Sequence, residues 1–159
     1  MAGGKGRLII VCGLPGSGKT PLALELAAEP GAVRYSPDDW MDALGINLWD
    51  EDKRDGIEQL QWQAAQQVLA LGGTAIIEWG TWARSERDRL RLGARALGAA
   101  AELIHLEAPL EVLLERTRKR GRENPPITLD MLEKSSRSFE VPNAEELALY
   151  DPPAKVRSS

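Results

Sequence analysis

Short, uninterrupted apolar runs alternate along this chain with longer segments in which apolar residues recur every three or four positions. Arg7–Cys12 (RLIIVC) stops at a glycine and predicts a strand buried on both faces of a parallel sheet. From about Gly18 to Ala28, Leu22, Ala23, Leu26 and Ala27 fall at helical spacing, and Pro30-Gly31 ends the element. Ala32–Ser36 predicts a second strand. Ser36 is then placed to cap a helix, with Pro37 at its first position and Asp39 three residues after the serine. A connection containing Trp49 leads into a long helix over Glu51–Leu71, with Ile57, Leu60, Ala64, Val68 and Leu71 on one face and Gly72-Gly73 at its end. Thr74–Glu78 predicts a third strand, Ser85–Leu97 a charged amphipathic helix and Ala101–Glu107 a fourth strand. Pro109 starts a further helix that runs into ERTRKRGREN, and another follows near Thr128–Ser138. The order βαβαβαβ implies a parallel sheet.

Composition narrows the class. A chain of 159 residues is one domain's worth, so residues 1–159 are read as a single domain, with a last short helix in the polar tail and disorder over 155–159. The net charge of −4 argues against general attraction to nucleic acid or an anionic membrane. The single cysteine, Cys12, allows no internal disulfide, and Leu8–Cys12 is too short for a signal core or a membrane span, so a cytoplasmic protein is the simplest expectation. One Cys and one His give no zinc, haem or iron–sulfur spacing. Oligomeric state is not legible.

The chemistry starts at Gly13-Leu14-Pro15-Gly16-Ser17-Gly18-Lys19-Thr20, a full match to G-x-x-x-x-G-K-[ST] between a predicted strand and a predicted helix. Its glycines let backbone N–H groups turn onto a β-phosphate at a helix N-terminus, Lys19 reaches the β- and γ-phosphates, and the Thr20 hydroxyl is a Mg²⁺ ligand. A nucleoside triphosphate partner with Mg²⁺ follows. What is done with the γ-phosphate depends on residues elsewhere.

Three segments together, GLPGSGKT, SPDDW and LLERTRKRG, resemble small P-loop kinases of the polynucleotide kinase, zeta toxin and chloramphenicol phosphotransferase type, over roughly residues 7–140. The resemblance implies a three-layer α/β fold with a parallel sheet, strand order 2-3-1-4, and a short arginine-bearing lid over about 116–126. It also implies ATP and Mg²⁺ as cofactors, and places at Asp38 the carboxylate that accepts the proton of an acceptor hydroxyl. The chemistry agrees, since an alcohol is a poor nucleophile at neutral pH. Asp39 is the better helix cap and is the second acceptor-side candidate. In the lid segment, Arg116 and Arg120 are four apart and share a helical face from which both can close on the transferring phosphoryl group, with Arg122 as a further nucleotide contact. Glu78, at the end of the third strand, is placed to hold Mg²⁺ or a substrate hydroxyl.

Five tryptophans against one phenylalanine are unusual, and Trp40, Trp49, Trp79 and Trp82 all follow the second or third strand. Trp40, Trp49, Trp79 and Trp82 are the candidates for lining an acceptor pocket, with plain packing as the alternative for each. Trp62, His105 and Cys12 read as structural. The resulting expectation is an ATP- and Mg²⁺-dependent kinase acting on a hydroxyl of a small molecule such as a sugar, a nucleoside or an antibiotic. A 5′-hydroxyl polynucleotide kinase is the alternative, weakened because Trp40-Met41 stands where that family has an arginine. A nucleotide-binding ATPase or switch is the alternative of another class.

Overall fold

Four strands, β1 (Arg7–Cys12), β2 (Ala32–Tyr35), β3 (Thr74–Ile77) and β4 (Ala100–His105), pair in parallel in the order β2-β3-β1-β4. This is a computed structural model that describes residues 5–154; the tail expected to be disordered over 155–159 lies outside the described residues. The helices are α1 (Lys19–Ala27), α2 (Pro37–Ala43), α3 (Glu51–Ala70), α4 (Arg84–Ala96), α5 (Leu110–Arg120), α6 (Leu129–Ser138) and α7 (Ala144–Leu147). The predicted alternation and strand order are those observed.

The two faces of the central strand explain its continuous apolar run. Ile9 and Val11, with Ile76 of β3, pack against Ala23, Leu22 and Leu26 of α1. Leu8 and Ile10, with Ile77, pack on the other side against Ala65 and Leu69 of α3 and Leu90 and Ala94 of α4. All of the strand residues named are nearly or fully buried. Hydrophobic burial on both faces therefore fixes the sheet as the middle of three layers. Leu113 of α5, Leu132 of α6 and Ile127 of the loop between them form a smaller core beside the phosphate loop.

The inward face of α3 differs from the expected one. Ile57, Gln61, Ala65 and Leu69 are buried, whereas Leu60 is 57% and Leu71 82% exposed. A stripe at intervals of four faces the sheet, and Leu71 lies past the last turn as the C-cap. A glutamine is tolerated in that stripe because the Gln61 Oε1 accepts the Trp79 indole N–H at 2.9 Å. Caps set the other boundaries. The Ser36 hydroxyl accepts from the Asp39 N–H at 3.3 Å, which ends β2 at Tyr35. No fifth strand exists among the described residues. Instead the segment after α6 is pinned to the body: the Glu140 N–H donates to the Trp82 carbonyl, and the Asp151 carboxylate accepts from the Ala101 N–H.

Candidate active site

The phosphate loop joins β1 to α1 at the end of the central strand where parallel sheets place their ligands. Gly16 has φ +82°, and a Cβ there would lie 2.7 Å from the Leu113 carbonyl, so the loop approaches α5 too closely for a side chain. Gly18, at φ +101°, leads directly into α1. The Lys19 ammonium donates to the carbonyls of Gly13 at 2.8 Å and Leu14 at 3.1 Å, curled over its own loop. Burial pushes its pKa down to about 8, against the pull of Glu78 and Asp38. The Thr20 hydroxyl donates to Glu78 Oε2 at 2.8 Å.

Each carboxylate near the loop is oriented by an arginine. Arg54 on α3 donates from Nη1 to Asp38 Oδ1 at 2.7 Å and from Nη2 to the Leu48 carbonyl at 2.8 Å, which fixes the Asp38 side chain at the start of α2. Arg34 on β2 bridges two acids, donating from Nε to Glu78 Oε1 at 2.7 Å and from Nη1 to Asp39 Oδ2 at 2.6 Å. Burial works against ionised Asp39, but hydrogen bonds from Arg34 and Arg122 outweigh it and hold the carboxyl below its usual range.

Lys19, Thr20, Asp38 and Glu78 open into one cleft of about 540 Å³, continued by Trp49, Trp79 and Trp82 and by the lid residue Arg120. Its far wall is the turn Gly80-Thr81-Trp82 between β3 and α4. Thr81 there holds φ +43°, a conformation uncommon for a β-branched residue. The turn is braced from behind by Arg87, which is fully buried. Arg87 donates to the carbonyls of Thr81 at 2.7 Å, Trp82 at 3.2 Å and Glu140 at 2.6 Å, and forms a two-pronged pair with Glu146 at 2.7 and 2.9 Å.

Not every residue expected at the site reaches the cleft. Asp39 points away from it, held by Arg34 and Arg122. Trp40 lies outside it, 37% exposed and packed edge-on to Tyr35, because one or two residues of helical turn rotate it away from Asp38. Arg116 lies outside the cleft too; it donates to the Gly16 carbonyl at 3.0 Å and braces the loop. Arg122 is engaged with Asp39 at 2.9 Å and Asp42 at 2.5 Å rather than with the loop. Ser17 is buried beneath the loop. Four contributors escaped the sequence reading. Arg34 was inside a strand and Arg87 inside a helix with no motif. Arg54 and Glu58 flank Ile57, the apolar residue that marked the inward face of α3, and that proximity was the available signal.

Among the described residues no group of three or more His, Cys, Asp or Glu forms a ready-made metal site. The Thr20 hydroxyl and Glu78 carboxylate nonetheless suit Mg²⁺, which favours hard oxygens and completes its shell with phosphates and water. No described helix is long and apolar enough to cross a membrane.

A glycine loop on the inner strand of a 2-3-1-4 parallel sheet, with an arginine helix packed against it, is the fold of the P-loop kinases. The chain belongs to the AAA domain family, whose model matches residues 8–142. It is 26% identical over 157 residues to the Xenopus tropicalis protein named "Probable gluconokinase", an alignment covering 87% of this chain and 81% of that one. It is similar to the structure of a gluconokinase from Sinorhizobium meliloti 1021, at 25% identity and TM-score 0.56, over 92% of this chain and 80% of that one. It also shares its fold with a chain of the Pnkp1/Rnl/Hen1 RNA repair complex, at 20% identity and TM-score 0.71. That match covers 98% of this chain, which spans half the length of the other.

Proposed function

We propose that the protein transfers the γ-phosphate of ATP to a hydroxyl of a small polyhydroxy molecule held in the cleft between α3 and the β3–α4 turn. The observation that carries this reading is that Asp38 and Lys19 line one cleft that is also lined by three indoles. The nucleotide's phosphates lie in the loop, against its backbone N–H groups and Lys19. Bound Mg²⁺, held from the protein side by Thr20 and Glu78, neutralises phosphate charge. Asp38, oriented by Arg54, accepts the proton of the acceptor hydroxyl. Arg120 lines the cleft from the lid and stabilises the charge that spreads over the phosphoryl oxygens during transfer.

Names among the relatives support a sugar-like acceptor: two gluconokinases, and a sugar kinase from Janibacter sp. HTCC2649 that is 25% identical at TM-score 0.53 over 90% of this chain and 82% of that one. The test is a screen of hydroxyl compounds with γ-labelled ATP, following label into acceptor and into inorganic phosphate. Label in an alcohol, lost in a folded Lys19→Ala variant, is the expected result. A slow release of phosphate that no alcohol accelerates would place the protein among ATPases or switches. Efficient labelling of oligonucleotide 5′ ends would make it a polynucleotide kinase.

A further inference from the structure

The acceptor end of the cleft has an uneven charge pattern. Nearest the phosphate loop every acid has a cationic or hydroxyl partner: Asp38 with Arg54, Glu78 with Arg34 and Thr20, Glu123 with Arg120. Farther out, Glu51, Asp55, Glu58 and Glu86 also line the cleft; among the described residues none of these four makes an ion pair within 4 Å, and the Glu86 carboxylate accepts from the Ala83 N–H at 3.3 Å. Glu58 is the innermost of them. Burial first, then the charges of Glu86, Asp55 and Glu51, raise its pKa to about 7, although Arg54 pulls the other way. A carboxyl in that position is short of one positive charge.

A further observation points to a ligand that supplies it. The indole N–H groups of Trp49 and Trp79 are spent on protein acceptors, the Pro125 carbonyl at 2.8 Å and Gln61 Oε1 at 2.9 Å. What these rings can offer the cleft is therefore π surface, which attracts cations.

Resting on the kinase reading above, we propose that the acceptor carries an ammonium group besides the hydroxyl that is phosphorylated, and that Glu58, with Glu86 and the indoles of Trp49 and Trp79, selects it. In the reaction the acceptor's O–H bond breaks, its oxygen forms a bond to the γ-phosphorus, and the bond from that phosphorus to the β,γ-bridging oxygen breaks. The proton goes to Asp38 and ADP leaves. The ammonium keeps its protons throughout and serves only to anchor the amino alcohol. An anionic sugar acid would bring like charge to the four outer carboxylates and is the disfavoured acceptor.

The experiment compares two sets whose members share a carbon skeleton and differ in charge: D-glucosamine, D-glucose and D-gluconate, and 2-amino-1,3-propanediol, glycerol and D-glycerate. Phosphorylated product is measured directly, with kcat/KM for each. Within a skeleton that is used, the ammonium compound should exceed the neutral one by at least about tenfold and the acid by more. Glu58→Gln should bring the ammonium-to-neutral ratio toward one, chiefly through KM, with the folded state checked by circular dichroism. Gluconate or glycerate as the best acceptor would overturn the inference while leaving the kinase reading intact. So would neutral compounds matching the amines, or a ratio unmoved by Glu58→Gln. No phosphate on any compound, with ATP hydrolysis unchanged by all six, would overturn the kinase reading and this inference with it.

Discussion

In the proposed reading Lys19 carries the charge that meets the nucleotide's phosphates. Its pKa is pushed down to about 8 by burial, whereas an exposed lysine titrates near 10.5. Between those values the unfolded chain binds more protons than the folded one, so this group's contribution makes stability rise with pH over that window. Nucleotide phosphates restore the charge. Binding of ATP should therefore take up a proton near pH 8 to 9, visible as heats that change with buffer ionisation enthalpy, and affinity should fall as pH rises above about 8. Proton-neutral binding across that range would contradict the assignment. The two neighbouring aspartates should separate cleanly. Asp38→Asn should lower kcat by roughly 10²–10⁴-fold with little change in ATP affinity, because an amide cannot take a proton. Asp39→Asn should cost stability on the order of 1 kcal/mol and leave chemistry largely intact. Its carboxyl pKa is held low by two arginines, so that contribution is present above the ordinary carboxylate range and is lost as pH falls through it. Stopped-flow turnover and urea titrations tell the two variants apart. At this scale the phosphate loop was legible because its motif is local, and the place of Asp38 on the cleft followed from the resemblance of SPDDW. Arg34 and Arg54 were not legible, because each acts on an acid that only folding brings near.

Elements were read well where a local signal marks them and less well where partners in space decide. Caps and breakers such as Ser36, Pro37 and Gly72-Gly73 gave ends within a residue or two. The inward face of α3 was misread because hydrophobicity favours Leu60 over Gln61, and the hydrogen bond that reverses the choice comes from Trp79, 18 positions on. The lid shows the same limit. A run of five basic residues reads as a set of phosphate contacts, yet the loop after α5 is fastened to the other side of the cleft. Arg122 pairs with Asp39 and Asp42, the Asn47 side-chain amide donates to the Asn124 carbonyl at 3.3 Å, and Trp49 donates to Pro125. Arg122→Ala should therefore free this loop rather than remove a nucleotide contact. Hydrogen exchange over residues 121–127 should speed up, and the acceptor KM should rise about two- to fivefold with the ATP KM little changed, the scale of a partly exposed ion pair. A larger effect on ATP KM than on acceptor KM would return Arg122 to the nucleotide.

For the whole molecule, alternation of strands and helices was enough to give the parallel order, since connection rules leave few topologies once a glycine loop marks the first strand. The way the chain's later part closes the structure was not legible. Glu146 sits in a four-residue helix, and its pairing with Arg87 spans 59 positions with no pattern to announce it. Both side chains are essentially inaccessible to water. Glu146→Ala leaves the guanidinium buried without its counter-charge and should lower unfolding stability by about 3–5 kcal/mol, measured in urea; a loss under 1 kcal/mol would mean that the carbonyls around Arg87 suffice. The clamp has a consequence in time as well as in energy. The surroundings of the phosphate loop are complete once α5 has been made, through Leu113 and Arg116, whereas the turn at Thr81 is not braced until residue 146 has been made. On the ribosome, a chain of this kind therefore has everything that packs around its phosphate loop before it has the residue that clamps the turn at Thr81.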